Sequence, residues 1–215
     1  MNILVVAATS MEIQPFLEWK NNSPYKDSGD TLISGPGIFF TTLKLMESLH
    51  QNSFDFILQA GIAGAYPDSI PLGQVFQVEE EGFGDFGAMD REEFLDVFSL
   101  GLWDPQRFPF QGGKLINPYT HPNLTRARGL TLNCASGNEK DIKRIRAQFN
   151  PDLESLEGAP IAYIALSRGI PFLQIRSVSN RVEPRNRKSW DIPLAIKNLN
   201  QTLIEVFSTL MNHKS

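Results

Sequence analysis

The chain predicts an α/β fold, with a mostly parallel or mixed sheet held between helix layers. Three observations carry that expectation. Continuous apolar runs such as "NILVVAA" (2–8) and "IPFLQIRSVSN" (170–180) read as strands covered on both faces. Stretches with helical apolar spacing alternate with them along the sequence. A composition of 41% hydrophobic and 20% charged residues over 215 positions is enough for a sizeable core.

The elements follow in order. After the first strand, "SMEIQPFLEWK" (10–20) has helical spacing, with Ser10 as N-cap and Pro15 near the first turn. "TLIS" (31–34) is a short strand, and "GPG" (35–37) breaks the chain. "IFFTTLKLMESLHQ" (38–51) predicts a helix whose apolar stripe is Phe39, Leu43, Met46 and Leu49. "FDFILQAGIAGAY" (54–66) reads as a buried strand running into a Gly-rich turn, and "GQVFQVEEEGFGDFG" (73–87) as a strand, then a loop. "GLTLNCASGN" (129–138) is a further strand and loop before the helix "EKDIKRIRAQF" (139–149). "DLESLEGAPIAYIALSRG" (152–169) is a short extended piece that becomes a helix ended by Gly169. The strand at 170–180 leads to a long amphipathic helix over 190–214, with Pro193 in its first turn. No repeat, linker or low-complexity stretch interrupts residues 1–215, so a single domain is expected.

Several classes are disfavoured. A net charge of −4 argues against a general nucleic-acid surface. No apolar run is long enough to span a membrane. The N-terminal apolar stretch lacks a basic flank and reads as a core strand, not a signal peptide. Cys134 is the single cysteine, which permits no intrachain disulfide and fits a reducing, cytoplasmic setting. His50, His121 and His213 are scattered, with no i, i+4 pair and no Cys cluster, so a structural metal is not expected.

"GFGDFG" (82–87) satisfies G-x-G-x-x-G. However, "EEE" precedes it where a hydrophobic strand should stand, and those carboxylates would repel a pyrophosphate. Its embedded "DFG" stands without the other kinase signatures. The segment Glu80–Pro118 is the least regular and therefore a candidate for function.

Ligands in open α/β sheets sit beyond the carboxyl ends of the strands. That rule gathers Thr9–Glu12, Gly61–Tyr66, Cys134–Gly137 and Ser177–Glu183, with Glu157 able to join them. Glu12 and Glu157 have an alternative reading as carboxylates favoured at helix starts. Together, with Arg176 on the adjoining strand, they suit a site in which one carboxylate activates water and the other binds a sugar diol. Gly61 and Gly64 either let the chain turn or let a ligand approach the backbone. Trp190 is either core or a stacking platform for a base, and the cations of "EPRNRKSW" (183–190) are either solvated or an anion contact.

The order and spacing of four motifs resemble one superfamily. They are "ME" (11–12), "GIAG" (61–64), "LEGAPIAYIA" (156–165) and "PFLQIRSVSNRVE" (171–183). The chain resembles the purine nucleoside phosphorylases and nucleosidases, particularly the methylthioadenosine/S-adenosylhomocysteine nucleosidase and futalosine hydrolase families. "GFGDFGAMD" and "SNRVEPRNR" look most like the latter. The resemblance implies a three-layer α/β/α sandwich with a central mixed sheet, a small-molecule nucleoside substrate, no cofactor, and assembly into homodimers or larger oligomers. It further implies cleavage of a purine N-glycosidic bond through an oxocarbenium-like sugar, with Glu12 activating water, Glu157 binding ribose hydroxyls and Arg176 organising them. Ile62 stands where relatives often carry Ser, beside Ala63 and Gly64. Cys134, Ala135 and Ser136 match a base-lining segment. Leu156 replaces a common Met, and Trp190 falls at an aromatic base contact.

Asn180 is the informative departure. Adenine-specific relatives place Asp there to protonate N7 of the leaving base. Asn is no general acid near neutral pH, but its amide both donates and accepts. A 6-oxopurine presents acceptors at O6 and N7, which would repel an ionised Asp and accept from an Asn amide. Asn180 therefore points to hypoxanthine or guanine over adenine. Hydrolysis is preferred to phosphorolysis, because "GPG" and "GIAGAY" carry no Arg for a phosphate clamp. The resemblance then implies futalosine as substrate, a hypoxanthine nucleoside of menaquinone biosynthesis, with Phe83, Phe86, Phe108 and Phe110 as candidates for an apolar slot around its tail. The competing readings are a phosphorylase, an adenine-releasing nucleosidase and a non-catalytic nucleoside sensor.

Overall fold

The computed structural model describes residues 1–212; His213 and the end of the expected last helix lie outside the described residues. The first half of the chain contains β1 (Ile3–Ala7), α1 (Ser10–Asn21), β2 (Asp30–Ile33), α2 (Gly37–Gln51) and β3 (Phe56–Ala65). Four strands follow: β4 (Val75–Glu81), the hairpin β5 (Gly87–Asp90) and β6 (Glu93–Asp96), and β7 (Leu115–Ile116). The second half contains β8 (Thr125–Thr131), α3 (Glu139–Phe149), β9 (Leu153–Ser155), α4 (Gly158–Arg168), β10 (Phe172–Arg181) and α5 (Ile192–Asn212).

The main sheet is mixed, as expected. β1 runs parallel to β2 and β3, and β3 parallel to β10. β10 pairs antiparallel with β4, which runs parallel to β8, and β8 parallel to β9. β3 changes neighbours along its length. Its first half pairs with β1, whereas Gly64 and Ala65 pair with β9 on the same side. Strands β3, β10, β4, β8 and β9 thus close into a ring around Ala63, Phe76, Val78, Ala127, Leu153 and Val178. One helix layer, α1 and α5, buries Ile13, Phe16, Leu203 and Phe207 against Ile3, Val5 and Leu58. The opposite layer, α2 and α4, packs Leu45, Ile161 and Ala165 on Leu4, Val6 and Ile57.

Three local expectations are corrected. The N-cap of α1 is Thr9, not Ser10: the Thr9 N–H and hydroxyl both reach Glu12 Oε2, at 3.0 and 3.1 Å. "GIAG" is no turn, since Gly61 and Gly64 lie inside β3. The inward face of α2 is Thr41, Leu45 and Leu49; Phe39, Leu43 and Met46 point outward together with Phe40. Apolar residues stand on both the Leu45–Leu49 face and the Phe39–Leu43–Met46 face of that helix, so spacing alone does not choose the buried one.

Candidate active site

Glu12 is positioned by a break in its own helix. Pro15 has no N–H to donate, and Ile13 leaves helical geometry at φ −120°, ψ 16°. The side chain of Asn200, from α5, fills the gap. Phe16 N–H donates to Asn200 Oδ1 at 2.9 Å, and Asn200 Nδ2 donates to the Glu12 carbonyl at 2.8 Å. The Glu12 carboxylate then receives Thr9 on Oε2 and the backbone N–H of Ile62 on Oε1, at 3.1 Å. Ile62 therefore serves the carboxylate through its backbone, whatever its side chain.

Glu157 stands at the N-cap position of α4 but its carboxylate makes no cap bond; its Oε1 accepts instead from Gly37 N–H at 3.0 Å, which ties it to the "GPG" break. Arg176 lies behind both carboxylates. It is 2% exposed, its Nη1 is 3.6 Å from Glu157 Oε2, and its charge favours ionised Glu12. Gly61 makes this convergence possible, because a Cβ there would overlap Arg176 Nη1 and lie 3.2 Å from Glu12 Oε1. Burial is the largest influence on Glu12 and raises its pKa; the Ile62 N–H and Arg176 pull it down, and Glu157 pushes it up.

These groups border a pocket of about 280 Å³. Of the residues singled out from sequence, Glu12, Ile62, Ala63, Gly64, Ala135, Ser136, Leu156, Glu157, Asn180 and Trp190 line it. Arg176 supports the wall from behind. Cys134 is exposed and is not on the wall. Asn180 Oδ1 accepts from Ser179 Oγ at 2.8 Å, and Nδ2 donates to the Arg181 carbonyl at 2.9 Å, leaving its second N–H for a ligand. The guanidinium of Arg185 stacks over Trp190, 5.4 Å from the ring centroid.

Sequence reasoning missed Glu154. It pairs with Gly64 across β9 and β3, just as Asn180 pairs with Gly64 across β10 and β3. The three occupy one row of the sheet, with a residue lacking a side chain in the middle. Tyr66, Ser136 N–H (2.8 Å) and Ser136 Oγ (2.6 Å) donate to the Glu154 carboxylate. No spacing signal marks it, because only strand register brings "LES" beside "GIAG".

Of the four Phe proposed for a slot, Phe83, Phe86 and Phe110 line a second, apolar pocket with Ile38, Trp103 and Tyr163. Phe108 is 70% exposed and lies outside it. The two pockets share no lining residue.

No protein-family model matches the chain. Among curated proteins it is similar to the futalosine hydrolase of Acidothermus cellulolyticus, 26% identical over 191 residues, covering 86% of this chain and 78% of the relative. It is also similar to that of Thermus thermophilus, 28% identical over 189 residues, covering 85% and 83%. Among solved structures, a methylthioadenosine/S-adenosylhomocysteine nucleosidase from Colwellia psychrerythraea in complex with adenine superposes with a TM-score of 0.80. Its sequence identity is 18%, over 98% of this chain and 96% of that one. The futalosine hydrolase of Helicobacter pylori superposes at 0.79, with 15% identity over 97% and 98%. Relatives and fold agree with the motif order: the chain is similar in sequence to curated futalosine hydrolases and has the fold of the solved nucleosidases.

Proposed function

We propose that this chain hydrolyses the N-glycosidic bond of futalosine and releases hypoxanthine. The arrangement of Glu12 carries the reading: a buried carboxylate oriented by three donors, beside Glu157 and in front of Arg176. Ionised Glu12 removes a proton from water as its oxygen attacks C1′ of the ribose. Glu157 accepts from the ribose hydroxyls, and the C1′–N9 bond breaks with its electron pair leaving on the base. Asn180 stabilises that charge by donating to N7 or O6, and solvent supplies the proton.

Base preference has a second support. Asn180 offers a donor on one side of Gly64, and Glu154 offers an acceptor on the other. A 6-oxopurine presents the matching pattern, with acceptors at O6 and N7 and a donor at N1–H, whereas adenine has an acceptor at N1. Water is favoured over phosphate as nucleophile because the wall carries Glu12, Glu154 and Glu157 against the one cation Arg185.

The same reading places the reaction in menaquinone biosynthesis and in the cytoplasm, where the exposed thiol of Cys134 stays reduced. It also pairs the chain with a second copy through the outward apolar face of α2, where Phe39 is 71% and Phe40 51% exposed. Among the described residues, no helix is long and apolar enough to cross a membrane.

The test is chromatography of products from futalosine, inosine and methylthioadenosine, each with and without phosphate, for the native protein and Glu12→Gln. Phosphate-independent hypoxanthine from futalosine is expected, with Glu12→Gln slower by about a hundredfold or more. Adenine release from methylthioadenosine, or a strict need for phosphate, would assign a different reaction.

A further inference from the structure

The hydrolytic reading uses Arg176 but does not explain what holds it. A second buried carboxylate lies behind it. Glu81, the last residue of β4, is 2% exposed. Its Oε2 accepts from Gln174 Nε2 at 3.0 Å, and its Oε1 from Thr131 Oγ1 at 3.1 Å and Gly82 N–H at 3.3 Å. Gln174 Oε1 in turn accepts from Arg176 Nε at 3.0 Å. Thr131 Oγ1 accepts from Ala159 N–H at 2.8 Å, in the first turn of α4, directly after Glu157. Room for the carboxylate is made by Gly158 and Gly129: a Cβ on Gly158 would overlap Glu81 Oε2, and one on Gly129 would lie 2.6 Å from it.

We propose that Glu81 is a positioning residue for the reaction, fixing Arg176 through Gln174 and the start of α4, with Glu157, through Thr131. This rests on the hydrolytic reading given above.

Donor and acceptor polarity supplies the reason. Above about pH 7 Glu81 is ionised and only accepts, so Gln174 turns its NH₂ towards Glu81 and its carbonyl towards Arg176. A glutamine at position 81 would keep its carbonyl at the Thr131 and Gly82 donors and turn its NH₂ on Gln174. Two NH₂ groups cannot face each other, so Gln174 would flip and present a donor to the Arg176 Nε–H. Arg176 would lose its Nε acceptor, and among the described residues its Nη2 already has no hydrogen-bond partner. Position 81 thus sets which way the chain of hydrogen bonds points. The charged groups around it are Arg176 on the inner side, and Glu80, Asp96, Lys114 and Arg128 bordering the cleft on the outer side.

The experiment compares Glu81→Gln with the double variant Glu81→Gln, Gln174→Glu, which restores an acceptor to Arg176 and keeps the total charge. At pH 8, where Glu81 is ionised, Glu81→Gln is expected to lower kcat on futalosine about ten- to hundredfold with KM changed less than about threefold. The double variant should recover most of kcat. Arginine-selective ¹⁵N NMR should show an Arg176 Nε–H protected from exchange in the native protein and the double variant, and unprotected in Glu81→Gln.

Unchanged kcat at pH 8 in folded Glu81→Gln would overturn the proposal. If that variant does not fold, a folded but inactive double variant overturns it, and an active one supports it. A native protein that hydrolyses no purine nucleoside would sink the reading of function instead, and the Nε–H signal would still decide whether Glu81 orients Arg176.

Discussion

Gly61 and Gly64 sit in a regular strand, where glycine is normally a weakness, and each makes room for a side chain from β10. At Gly61 the guest is Arg176, which a Cβ would overlap. Gly61→Ala should therefore displace Arg176 and reduce kcat about a hundredfold, since misplacement of roughly an ångström has that effect. Circular dichroism should remain native-like, and retained activity would show that Arg176 tolerates movement. At Gly64 a Cβ would lie 2.9 Å from Val182 Cγ2 and 3.1 Å from Asn180 Nδ2. Asn180→Asp would turn a carboxylate oxygen towards the Arg181 carbonyl that Nδ2 now serves. Hypoxanthine release should fall about ten- to hundredfold, and adenine release from methylthioadenosine should rise above background. An unaltered ratio of the two products would mean that residue 180 does not read the base.

Helix α1 shows how an element converts a local defect into placement. Pro15 interrupts its hydrogen-bond ladder, and Asn200 accepts from one freed backbone group and donates to another while itself 2% exposed. Replacement by leucine leaves a buried N–H and a buried carbonyl without partners, a loss of about 2–4 kcal/mol in all. Asn200→Leu is accordingly expected to lower the urea midpoint and to reduce kcat, as Glu12 loses its fixed backbone. A lower midpoint with unchanged kcat would make Asn200 a packing residue alone. The N-terminal helix was legible from sequence. Its cap was misread by one residue, because Thr9 and Ser10 are both good caps and only Glu12 folding back onto Thr9 distinguishes them.

The molecule as a whole keeps carboxylates where burial disfavours their charge. Glu81 is pushed up to about 7, chiefly by desolvation, despite Gln174, Arg176 and Thr131. The sign of the consequence is definite. Between about pH 4.5 and 7 the folded state holds a proton on Glu81 that the unfolded chain has released, so the contribution of Glu81 to stability falls as pH rises through that window. The melting temperature of Glu81→Gln relative to the native protein should therefore increase from pH 5 to pH 8. Calorimetry at both ends measures it, and a constant difference would mean that Glu81 titrates normally.

Much was legible from the chain itself. Alternating apolar runs and amphipathic stretches determined the α/β class, because burial on one or both faces imposes those periods. Glu12, Glu157 and Asn180 stood out because each sits at a strand end or helix start, where local chemistry marks a site. "EEE" at 79–81 shows where reading by sequence stops. Glu79 and Glu80 pair with Arg126 and Lys114, while Glu81 is buried beside Gln174, and three identical residues carry no sign of which turns inward. A register shift in the pairing of β4 with β8, between Val78 and Glu80, accompanies that change of direction. The buried face of α2, the row Glu154–Gly64–Asn180 and the relay from Glu81 to Arg176 were decided only by tertiary structure, since each depends on which strands and helices become neighbours, and pairing across the sheet leaves no period in the sequence.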